Sequence, residues 1–208
     1  MNVAEAADQL GVSPRRVRAL IAAGRVNAAK VGTSWQVETL PDGRRHRRPL
    51  SVRSRRMLVH ALHYRTLTGL SGTDRSRTAA RIRALRTADD PSALLADWWG
   101  GAPDHDGGLF ETHLIANAVA GNTEYIRYSV SQHHYEYLRD PDDLADVVAT
   151  ERTIRGWSVR RLADSADIDP AAVRLIERAE QAPLSAVRRT LRALDIEPTA
   201  LPDLRIAP

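Results

Sequence analysis

Asn2 to Val37 read NVAEAADQLGVSPRRVRALIAAGRVNAAKVGTSWQV, a pattern of two short amphipathic helices, a tight turn and a hairpin. Val3, Ala6, Ala7 and Leu10 recur at helical spacing and give the first helix one apolar face. Gly11 suits the left-handed residue that ends it, and Val12 is expected to plug the space between the helices. Ser13 before Pro14 is an N-cap and first-turn pair. On the second helix Val17, Leu20 and Ile21 share a face, while Arg15 and Arg18 point away beside the small Ala19 and Ala22. Gly24 suits its C-terminal cap, and residues 28–31 and 34–37 read as short strands around a Gly32-Thr33 turn. Lys30 and Trp35 fall on that hairpin, with Trp35 read as core beneath it.

The order AAxxLGVSPRRVRxLIxxGRV followed by AxKVGxxW resembles the excisionase and MerR-like winged helix-turn-helix proteins over about the first forty residues. The resemblance implies a recognition helix, Pro14 to Ala23, in the major groove, with the hairpin as a wing against backbone or minor groove. Carried over position by position, it implies DNA contacts from Ser13, Arg15, Arg16 and Arg18 on the helix and from Lys30, Thr33 and Ser34 on the wing.

Charge points the same way. Residues 1–56 hold 12 Lys+Arg against 4 Asp+Glu, a net of +8, whereas the 208-residue chain is only +4. Part of that charge lies in a basic arm, Arg44, Arg45, Arg47 and Arg48, behind a Pro41-Asp42-Gly43 turn, which is expected to track phosphates. A solvated helix face would have arginines too, but not this concentration at one end.

Hydrophobic residues at 43% support a packed core. The absence of cysteine excludes disulfides and thiolate metal sites. No apolar run approaches the roughly 20 residues needed to span a bilayer, so a cytoplasmic protein without membrane contact is expected. Arginine supplies all basic residues except Lys30, which suggests a GC-rich coding sequence. Asp104-His105-Asp106 are adjacent on a glycine-flanked loop and read as solvated, and His133-His134 and the His60/His63 pair lack a carboxylate or third histidine at a supporting spacing, so no metal and no cofactor are expected.

From Ser51 to about Leu67 the spacing predicts a helix capped by Ser51. An arginine-rich helix follows over about 74–87, and a third after Asp90-Pro91 carries Trp98 and Trp99, read as core or a subunit interface. The PLSxRSRRML segment resembles the helical region behind this kind of winged helix in some actinobacterial or phage regulators and abortive-infection antitoxins. Gly100 to Gly108 reads as a linker, Phe110 to Ala120 as a helix, and Tyr125 to Tyr137 as helix in preference to strand. Residues 57–143 hold 8 Lys+Arg against 12 Asp+Glu, a net of −4, which suits dimerisation or a protein partner better than DNA.

Residues 144–198 read as four short helices. Leu144, Val147, Val148 and Ile154 line the first, Ser158 caps the second, Asp169-Pro170 opens the third, and Ser185 caps the fourth. The run RxIRGWSVRRLADSADIDPAAVRLIERAEQAPLSAVRRTLRALDI resembles the lambda-repressor and Cro-like (Xre) helix-turn-helix family. It departs from that family at Val159, where a glutamine is usual, and at Asp167, where the turn glycine is usual. Arg160, Arg174 and Arg178 form a possible second DNA-contacting set, but 9 Lys+Arg against 9 Asp+Glu leave the segment neutral, and dimerisation is as good a role.

The expected architecture is mostly α: a winged helix-turn-helix (1–40), the arm (41–50), a helical region (51–99), a linker (100–108), a helical dimerisation or partner region (109–143), an Xre-like bundle (144–198) and a tail (199–208). No nucleophile stands with a base and no phosphate loop is present, so no enzymatic activity is expected. The expected function is a sequence-specific regulator of double-stranded DNA, a homodimeric repressor and conceivably an autoregulating antitoxin with a cognate toxin. The alternatives are an excisionase that bends DNA for an integrase and a protein-interaction adaptor.

Overall fold

The computed structural model describes residues 1–10, 12–22, 26–32, 34–39, 49–102, 106–131, 138 and 140–196. Among them are eleven helices and one two-stranded hairpin, and the chain divides into two compact units, Met1–Arg47 and Arg48–Pro208.

The first unit comprises α1 (Val3–Leu10), α2 (Pro14–Ala22), β1 (Asn27–Val31) and β2 (Ser34–Thr39). Asn2 opens α1 as a capping box: its Oδ1 accepts from the amides of Ala4 and Glu5 at 2.9 Å, and its own amide donates to Glu5 Oε2 at 2.9 Å. The core is small, formed by Ala6, Ala7, Val17, Val26 and Val37, with Val3, Leu10, Leu20, Ile21 and Ala28 packed around it.

Val12 does not plug the space between the helices; its side chain is 37% exposed while its amide donates to Ala7 O at 3.0 Å. The two buried alanines let α1 and α2 approach closely, so no gap is left for a valine to fill. Val26, not singled out from the pattern, takes a core place instead. Gly11, Gly24, residues 41–48 of the arm, residues 103–105 and 132–137 and the tail 199–208 lie outside the described residues.

The second unit holds α3 (Val52–Tyr64), α4 (Gly72–Thr87), α5 (Pro91–Trp99), α6 (Leu109–Val119), α7 (Thr123–Val130), α8 (Pro141–Arg155), α9 (Val159–Ala166), α10 (Pro170–Glu177) and α11 (Leu184–Ala193). Short polar side chains set most of these starts. Ser51, Asp90, Asn122, Asp140, Ser158 and Asp169 each accept from a first-turn amide, and proline follows at 91, 141 and 170. The first helix stops at Tyr64 rather than near Leu67, because Arg65 turns left-handed at φ 55°. Ser185 is not a cap: α11 begins at Leu184, and Pro183 O accepts from the amides of Ala186 and Val187.

Two apolar cores lie in this unit. One gathers Leu58, Leu62, Ile82, Leu85, Leu95, Leu114, Ile115 and Ile126 from α3 to α7, and the tryptophan pair belongs to it. Trp99 Nε1 donates to the buried Glu111 Oε1 at 2.9 Å, so the indole nitrogen is satisfied within the core. The segment between α5 and α6 therefore joins two helices of one core. The other core gathers Leu144, Val147, Val148, Leu162, Val173, Ile176, Leu191 and Leu194 from α8 to α11.

Ile154 departs from the expected bundle lining and packs into the α3–α7 core, because the last turns of α8 rotate it toward α4. Polar contacts join the same surfaces. Arg86 forks onto Glu151 at 2.8 and 2.9 Å, with Glu151 fully buried, and Leu67 N donates to Thr150 Oγ1 at 3.1 Å. Three arginines also meet carbonyls at or just past helix ends: Arg86 Nε on Val130 O (2.6 Å), Arg127 on Asp89 O (2.7 Å) and Arg155 on Leu194 O (2.7 Å).

Gly156 closes α8 at φ 69°, with Arg83 against the place a Cβ would occupy. Gly156→Ala is expected to cost about 1 kcal/mol for the left-handed backbone, since the flexible Arg83 tip can move aside. Urea denaturation checks this, and an unchanged midpoint would remove the conformational argument.

Candidate nucleic-acid interface

Ser13 Oγ accepts from Arg16 N at 3.3 Å and Ser13 O from the amides of Arg16 and Val17, so this side chain first serves to start α2. From there the helix has one buried residue, Val17, flanked by half-buried Leu20 and Ile21. Arg15, Arg16, Arg18, Ala19 and Ala22 are exposed.

The 3.6-residue repeat sorts the three arginines. Arg15 lies diametrically opposite the core face, between Ala19 and Ala22; Arg18 lies about 60° to one side and Arg16 about 100° to the other. An arginine flanked by methyl-sized neighbours can reach a groove floor, while those on the flanks face the groove walls, where phosphates lie. Among the described residues none of Arg15, Arg16, Arg18 and Lys30 is paired with a carboxylate.

The hairpin pairs Ala28 with Val37, Ala29 with Gln36, Lys30 with Trp35 and Val31 with Ser34 across a two-residue turn, in which Gly32 sits at φ 62°. Met1 O accepts from Val37 N at 2.8 Å, and Asn2 bridges Gln36, so the chain's first residues brace β2.

Side chains alternate along a strand, so Lys30 and Trp35 share the face of Ala28 and Val37, whereas Ser34 lies on the opposite face with Val31. Trp35 is half-buried and outside the core cluster. The core consumes the Ala28–Val37 pair, and Trp35, one pair from the turn, lies beyond it. The structure thus brings Arg15, Arg16 and Arg18 onto one helix and sends Lys30 and Ser34 to opposite faces of the hairpin. Thr33, Arg44, Arg45, Arg47 and Arg48 lie outside the described residues.

The second set is more dispersed. Arg160 is exposed on α9, Arg174 on α10, and Arg178, just beyond α10, stands 3.8 Å from Glu180. Asp167 adopts the left-handed conformation at φ 53° that a turn glycine would take; Arg189 Nη1 binds its carbonyl at 2.7 Å and its carboxylate at 2.9 Å. Glu177 forks onto Arg152 at 2.5 and 3.0 Å, holding α10 to α8.

Two features of the first unit were missed from the sequence. The capping box was visible as Asn2-x-x-Glu5, and Val26 had no periodic neighbour to mark it.

A family described as a helix-turn-helix domain matches residues 1–39, the span of α1, α2 and the hairpin. No curated protein and no solved structure matches the chain. No helix among the described residues is long and apolar enough to cross a membrane.

Proposed function

A helix-turn-helix domain at residues 1–39 makes DNA the partner to expect of this chain, and from that premise we propose a sequence-specific transcriptional regulator. It binds its operator as a homodimer, represses by occluding the promoter and carries out no chemistry. The observation that carries the reading is the outward face of α2, with Arg15 between Ala19 and Ala22 and Arg16 and Arg18 on either flank.

A two-fold dimer would read an inverted repeat with half-sites about one or two helical turns apart. The Xre-like resemblance of residues 144–198 fits a second reading head or a dimerisation bundle. As an autoregulating antitoxin, the chain would offer a toxin the acidic stretch between α4 and α8. The long helical second unit favours regulation over the excisionase reading, since a DNA bender needs little beyond the winged helix.

The test is fluorescence anisotropy on the upstream duplex of the protein's own gene beside a scrambled duplex, at near-physiological salt. A preference of at least about a hundredfold is expected, lost in Arg15→Ala/Arg18→Ala. Equal, salt-sensitive binding to both duplexes would end the autoregulatory reading.

A further inference from the structure

The acidic average over the middle of the chain conceals its first two helices. Residues 51–87 hold nine arginines and a single acid, Asp74, a net of +8, while 88–143 hold 2 Lys+Arg against 11 Asp+Glu, a net of −9. Several of the nine arginines have structural employment. Arg86 binds Glu151, Arg53 binds Asp74 at 2.6 Å, Arg75 donates to Leu67 O at 3.3 Å, and Arg55 lies over the Trp99 ring at 5.7 Å.

Of the other five, Arg65 is the left-handed cap of α3 and Arg83 lies against Gly156; among the described residues none of the remaining three, Arg56, Arg77 and Arg81, is paired with a carboxylate. They are arranged in rows. Asp74, Arg77 and Arg81 follow at three and four residues along α4, and Arg53 and Arg56 at three along α3. The Arg53–Asp74 ion pair joins the two rows at the first turns of the helices.

Arg81 also has an enclosed Nη1 without a hydrogen-bond partner. Its pKa is lowered by burial and, next, by the charge of Arg77, with Asp74 opposing.

We propose that this α3–α4 face is a second, sequence-independent contact for the phosphate backbone of duplex DNA. The inference rests on the reading that the chain binds DNA, and adds a surface in the second unit that supplies affinity without sequence preference. Arg56 and Arg77 approach phosphates as exposed guanidinium groups, and the half-buried Arg81 adds its charge beside them.

The experiment measures the salt dependence of duplex affinity for the full chain, for Arg56→Gln/Arg77→Gln/Arg81→Gln and for the corresponding triple lysine variant, with circular dichroism to establish that each is folded. Each lost phosphate contact should flatten the log–log slope by about 0.9, so the glutamine variant should lose about 2–3 from the slope and at least tenfold in affinity on operator and scrambled duplex alike. The lysine variant should retain most of the slope.

A folded glutamine variant with an unchanged slope would overturn the proposal and leave the α2 reading standing; an acidic protein would then be the partner to seek for this face. Absence of duplex binding by the unmodified chain, even at low salt, would overturn both.

Discussion

Arg86→Ala is expected to lower the unfolding free energy of the second unit by roughly 3–5 kcal/mol, the largest stability loss of any single truncation outside its apolar cores. The reason is what the substitution leaves behind. Glu151 is fully buried, and Arg86 supplies it with two charge-assisted hydrogen bonds while a third, from Nε, satisfies Val130 O at the end of α7. Removing the guanidinium takes two charge-assisted hydrogen bonds from a carboxylate in a low-dielectric interior, where its desolvation is then less fully offset. The apolar double variant Arg86→Met/Glu151→Leu should recover most of the loss, since two well-packed side chains commonly replace a buried ion pair without harm. Urea denaturation of the three proteins decides the matter. A loss below about 1 kcal/mol in the single variant would mean that Glu151 gains water or another donor at little cost.

The second large effect concerns the helix-turn-helix. Val17 is fully buried in a small core, which among the described residues has five buried members. A unit of this size holds few kcal/mol in reserve. Val17→Asp places an unpaired carboxylate there at a cost of several kcal/mol, enough to unfold the unit. The expected result is loss of operator preference with a modest fall in helical circular dichroism, while the main denaturation transition, belonging to the α3–α11 cores, stays where it was. Sequence preference that survives the substitution would show that α2 is not the reading helix.

Much of this architecture was legible in the chain, for local reasons. Asp90-Pro91, Asp140-Pro141 and Asp169-Pro170 each pair an acceptor with a residue preset for a first helical turn, and each opens a helix. The arginines of α2 were placed on its outer side by periodicity alone. What failed depended on neighbours distant in sequence. Whether Val12 faces in or out depends on how closely two alanines let the helices approach, and Trp35 falls outside the core because the Ala28–Val37 pair already fills it. Ile154 fits the repeat of α8, but the repeat does not say which of two cores its face meets. Net charge misled through averaging: a window from 57 to 143 mixes an arginine-rich helix with an acidic stretch and describes neither.

The double allegiance of α8 bears on portability. Its Leu144, Val147 and Val148 serve one core and its Ile154 the other, with Thr150 and Glu151 committed to groups outside α8–α11. A graft of 140–196 onto another protein would carry Glu151 without Arg86 and Thr150 without Leu67, and would leave Ile154 uncovered. The winged helix, whose five buried side chains all come from its own residues, travels freely.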